Sequence, residues 1–80
     1  MDKNQRFLKR LSSKEFAAVE IVLRKILSKN TTGLDIKKLS GYSDVYRVRT
    51  GNIRIIFLDD KRHAEVLEIS RRSEKTYKDF

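Results

Sequence analysis

The stretch Val45-Tyr46-Arg47-Val48-Arg49-Thr50-Gly51-Asn52-Ile53-Arg54-Ile55-Ile56-Phe57-Leu58-Asp59 reads as two strands rich in β-branched and aromatic residues, hinged at Gly51-Asn52. A leading glycine suits a type II′ turn, whose twist matches that of antiparallel strands. Counting outward from a two-residue turn sets Thr50 opposite Ile53, Arg49 opposite Arg54, Val48 opposite Ile55, Arg47 opposite Ile56 and Tyr46 opposite Phe57. Side chains alternate along a strand. Tyr46, Val48, Ile55 and Phe57 therefore share a face that can be buried, and Arg47, Arg49 and Arg54 share the other.

Downstream, Asp59-Asp60-Lys61-Arg62 forms a second turn, and Ala64 to Ser70 supplies a third strand antiparallel to the second. Arg71 to Phe80 is a polar tail carrying Tyr77 and Phe80. Upstream, Leu34, Ile36 and Leu39 alternate with Asp35, Lys37 and Lys38 as a short strand or extended connector, after a break at Asn30-Thr31-Thr32-Gly33. Before that break the period changes to helical. Phe16, Val19, Leu23, Ile26 and Leu27 make one apolar stripe, and Ser12-Ser13-Lys14-Glu15 is a capping box that starts the helix carrying it. A shorter helix capped by Asp2 or Asn4 precedes it, with Phe7, Leu8 and Leu11 on one side.

This order predicts one α+β domain over residues 1–80: a helical hairpin (1–29) packed on one face of a small antiparallel sheet (34–70), then the tail (71–80). Eighty residues with 39% hydrophobic content support a single core and no more. The absence of cysteine excludes disulfides and zinc–thiolate sites and accords with a reducing, cytoplasmic setting. The single His63 cannot build a metal cluster, and Asp59 and Asp60 read as turn formers. No apolar run approaches the ~20 residues of a membrane span, and the first residues lack the apolar stretch of a secretion signal.

A formal net charge of +8 draws polyanions and acidic protein surfaces. Charge spread along a chain is ordinarily a solvated surface, and exposed strands often carry basic side chains only to discourage edge pairing. Three arginines on one strand face are a different matter, because Arg49 directly opposite Arg54 is repulsive unless an anion lies between or above them. Arg71 and Arg72, past the third strand, are expected near the same surface. Tyr77 reads equally as a tail anchor or a site residue.

Three stretches, in order, resemble the RelE branch of the RelE/ParE toxins of bacterial toxin–antitoxin pairs. They are Leu39-Ser40-Gly41 ahead of Tyr46-Arg47-Val48-Arg49, then Gly51-Asn52-Ile53-Arg54-Ile55-Ile56-Phe57, then Glu68-Ile69-Ser70-Arg71-Arg72-Ser73-Glu74-Lys75-Thr76-Tyr77. The resemblance covers the second half of the chain, and the helical hairpin agrees in pattern only. Two departures stand out. Relatives commonly open with a strand, for which Met1 to Asn4 is too short, leaving the Leu34–Leu39 segment to close the sheet. Ser40 stands where some members place a basic residue.

The resemblance implies a type II toxin, an endoribonuclease that cuts mRNA in the ribosomal A site without cofactor or metal. It implies catalytic roles for Arg54, Arg71 and Tyr77 and RNA-binding roles for Arg47, Arg49 and Arg72. A ribose 2′-hydroxyl attacks the adjoining phosphate, and guanidinium groups neutralise the charge that gathers on the phosphoryl oxygens. Tyr77 stacks on a base, orients the scissile group or serves as the base. The implied partners are mRNA, the ribosome and a cognate antitoxin, the last forming a hetero-oligomer with the toxin. Two other readings remain open: a ParE-like inhibitor of DNA gyrase without nuclease activity, and a plain nucleic-acid-binding module.

Overall fold

A computed structural model describes residues 3–71. Helix α1 (Lys3–Lys9) and helix α2 (Ser13–Leu27) are followed by strands β1 (Asp35–Lys38), β2 (Val45–Thr50), β3 (Ile53–Asp59) and β4 (Ala64–Arg71). The strands form one antiparallel sheet in the order β1-β2-β3-β4. The architecture is the expected α+β arrangement, and the connector at Leu34–Leu39 contributes an edge strand, β1. Among the described residues no helix is long and apolar enough to cross a membrane.

Local chemistry fixes the element ends. Ser12 Oγ accepts from the Glu15 amide at 3.1 Å and Glu15 Oε1 accepts from the Ser12 amide at 3.1 Å, the reciprocal pair that opens α2. Gly51 takes φ 58°, while the described non-glycine residues with positive φ are Lys29 and Asp44, so Asn52 stays in the ordinary region as a type II′ turn requires. In the following turn Asp60 Oδ1 accepts from the amides of Arg62 and His63 at 2.7 and 2.8 Å.

The core lies between the helices and one sheet face. Val19, Val22 and Ile26 of α2 pack on Val48, Ile53, Ile55, Phe57 and Ile69, with Phe7, Leu8 and Leu11 at the margin. The β2–β3 register is the one counted from the turn, including Arg49 opposite Arg54.

Strand β4 departs from simple alternation. Phe57 pairs with Val66 and Ile56 with Glu68, so Leu67 is an extra residue, a β-bulge. Past the bulge the parity of β4 is inverted. Ile69 joins Ile55 on the helix side, and Glu68 and Ser70 pair with Ile56 and Arg54 on the open side. Arg71 is the last residue of β4, where a tail was expected, and it pairs with Ile53 on the helix side. On the outer side of β4 the Asn4 side chain does the work of a short neighbouring strand: its Nδ2 donates to the Leu67 carbonyl at 3.3 Å and its Oδ1 accepts from the Ile69 amide at 3.0 Å.

Candidate nucleic-acid interface

The open face of the sheet is built from alternate residues of four strands: Asp35 and Lys37 on β1, Arg47 and Arg49 on β2, Arg54 and Ile56 on β3, Glu68 and Ser70 on β4. The register places Arg47, Arg49 and Arg54 together, as the sequence indicates. Ile56 sits at the centre with no exposed surface, ringed by Arg47 across one strand boundary, Glu68 across the other and Arg54 two residues along. The Arg47 side chain is 11% exposed with its Nη1 buried, and Arg54 Nε is buried as well. Arg54 is 8% exposed, while Arg49 is exposed outright.

The face is not uniformly basic. Arg47 Nη1 lies 3.9 Å from Asp35 Oδ2, a loose ion pair between adjacent strands. Glu68, 7% exposed, has Oε1 at 3.5 Å from Lys3 Nζ of α1. Its other oxygen, Oε2, and the Oγ of Ser70 are buried without a hydrogen-bond partner among the described residues.

Arg71 does not join this patch, and the expectation that it lies near the same surface is corrected. Its guanidinium reaches α2 on the helix side: Nη1 donates to Glu15 Oε2 at 2.9 Å and Nη2 to Oε1 at 3.5 Å, and the group lies 5.8 Å from the centre of the Phe7 ring. The Arg71 hydrogen bond, with the Ser12 amide next in importance, holds the Glu15 carboxyl below the usual carboxylate range. The Leu67 bulge is the cause, since without it residue 71 would fall on the arginine side. Arg72 and Tyr77, and the tail that carries them, lie outside the described residues.

Residue-by-residue reading of the sequence missed Glu68, Ser70 and Lys37 as members of the face. For the first two a signal existed. Val66 and Ile69 are three apart, and a strand buries both on one face only by inserting an extra residue between them. His63, with a 57% exposed side chain 3.4 Å from Asp60 Oδ1, is a solvated turn residue. Among the described residues no group of His, Cys, Asp or Glu is arranged to hold a metal ion. Grooves of about 190 and 220 Å³ both lie on the helix side, one against the Gly51 turn and one over Tyr46 and Phe57.

The chain matches no protein-family model and no curated protein. Among solved structures it is similar to a chain of the RelB–RelE antitoxin–toxin complex from Methanococcus jannaschii, with a TM-score of 0.75 and 21% identity over 91% of this chain and 88% of that one. The likeness is one of fold.

Proposed function

We propose that this chain is the toxin of a toxin–antitoxin pair and acts as an endoribonuclease on mRNA in the ribosomal A site. The observation that carries the reading is the strand face on which Arg49 directly opposes Arg54, with Arg47 two residues away. Like charges set across a strand pair cost about 0.2–1 kcal/mol, and an anion docked over the pair would offset that cost beside Asp35, which stands opposite Arg49 on β1. A sheet face that gathers three arginines suits the phosphates of an extended RNA strand. Fold likeness to a chain of an antitoxin–toxin complex supports the setting, and an acidic antitoxin segment laid over this face would mask it.

In the cleavage step the 2′-hydroxyl oxygen attacks phosphorus and the 5′ oxygen leaves, so no metal-bound nucleophile is required. Arg54 neutralises the phosphoryl oxygens in the transition state, and Arg47 and Arg49 hold flanking phosphates. Arg71, bound to Glu15, fixes the end of β4 to α2 and so positions the sheet. Tyr77 and Arg72 remain assigned by resemblance, as a stacking or proton-transfer group and a phosphate contact.

Induced expression of wild type beside Arg54→Ala, read by primer extension on a cellular mRNA, tests the proposal. New 5′ ends and growth arrest with wild type alone are expected, with cleavage reduced on the order of 10²–10³-fold in the variant. Growth arrest without new 5′ ends would overturn the ribonuclease reading in favour of gyrase inhibition, and salt-sensitive RNA binding without either would leave a binding module.

A further inference from the structure

We propose that Glu68 is the proton acceptor of the cleavage step, a catalytic residue delivered to the arginine face by the bulge at Leu67. The proposal rests on the ribonuclease reading and assigns to Glu68 the proton transfer for which resemblance offers Tyr77. As the O2′–P bond forms and the P–O5′ bond breaks, the 2′-hydroxyl proton passes to the Glu68 carboxylate and the leaving 5′ oxygen takes a proton from water. The products are a 2′,3′-cyclic phosphate and a 5′-hydroxyl. The arginines of the face cannot take that proton, since guanidinium groups stay protonated in proteins.

Of the carboxylates on this sheet face, Glu68 is the buried one, 7% exposed on the edge strand β4 beside Ile56 and diagonal to Arg54. Asp35 sits on the β1 edge with a 66% exposed side chain, already beside Arg47. Glu65, 62% exposed, lies opposite Leu58 beyond the bulge, 3.8 Å from His63. Glu68 pairs with Ile56, which makes it the diagonal neighbour of Arg54, a separation of roughly 7–8 Å that an arginine and a phosphate span together.

Glutamate is disfavoured in strands, and a carboxylate oxygen buried without a donor is destabilising. Glu68 Oε2 is in that condition among the described residues, while Oε1 is steadied by Lys3. A buried carboxylate set beside arginines marks a candidate for chemistry rather than for packing. Access of the ribose to this carboxylate, 7% exposed, requires the bordering Arg47 and Arg54 side chains to turn toward phosphates as RNA docks.

Glu68→Gln is assayed on mRNA-programmed ribosomes, with RNA affinity and thermal unfolding measured on the same protein. Cleavage is expected to fall on the order of 10²–10⁴-fold. RNA affinity is expected to hold or rise, because a negative charge leaves a basic face. A structural residue would lower both together. A Glu68→Gln protein that cleaves within about threefold of wild type overturns the assignment and leaves the ribonuclease reading standing, threefold being well inside the effect of a lost base. Wild type that cleaves nothing overturns both. Should Glu68→Gln fail to fold, Glu68→Asp keeps the charge beside Lys3 and withdraws it by one methylene. A fall of tenfold or more at unchanged affinity supports the role, and a wild-type rate ends it.

Discussion

At the scale of single residues, two arginines of the same strand system meet opposite fates. Arg54 is kept on the face opposite Arg49, and Arg71 is taken out of that field by Glu15, whose carboxylate accepts two hydrogen bonds from it. The Glu15 carboxyl is held below its ordinary range chiefly by that contact. A depressed carboxyl contributes stability that is fully present above its unfolded-state value and is lost as pH falls through the folded one. Glu15→Gln isolates this contribution, because glutamine still completes the capping box with Ser12. Wild type should lose more of its urea midpoint between pH 7 and pH 3 than Glu15→Gln does, measured by circular dichroism. Equal losses would mean that the contact with Arg71 carries no charge-dependent stability.

At the scale of elements, the hairpin and the bulge show what a sequence discloses and what it conceals. The β2–β3 register was legible because a two-residue turn leaves one way to count, and Gly51 at φ 58° supplies the geometry. A Cβ at that position would meet nothing within 4 Å, so replacing the glycine costs only what the left-handed conformation costs an L residue. Gly51→Val should lower stability by about 1–2 kcal/mol in denaturant unfolding, with no loss of native circular dichroism under folding conditions. The β3–β4 register was not legible in the same way. Its turn is longer, and one inserted residue between Val66 and Ile69 reverses the face of everything after it. That single inversion explains why Arg71 was expected beside Arg54 and why Glu68 and Ser70 were overlooked. The Ser12 cap was readable because it depends on neighbours within one turn, and Val19 and Ile26 of the helix stripe are buried as expected, whereas Phe16 and Leu27 of that stripe are exposed and Val22 is buried in their stead.

At the scale of the whole molecule, a net charge of +8 and a local face of three arginines make different demands on the same measurement. General charge steers RNA toward the protein but is screened beyond roughly 8 Å at physiological salt. Contacts to individual phosphates release counterions, and each adds about 0.7 to the slope of log affinity against log salt for a single strand. Arg49, exposed and central to the face, should hold one such phosphate, and Arg24, whose side chain is 78% exposed on α2, should hold none. The two substitutions remove the same charge from the molecule. Arg49→Ala is therefore expected to lower the salt slope of RNA binding by about 0.7, and Arg24→Ala to leave it unchanged, in titrations from low to physiological salt. Equal effects from both would mean that RNA responds to the total charge and not to the strand face. The arginine register, and the carboxylate that the bulge turns toward it, would then have no claim to be a site.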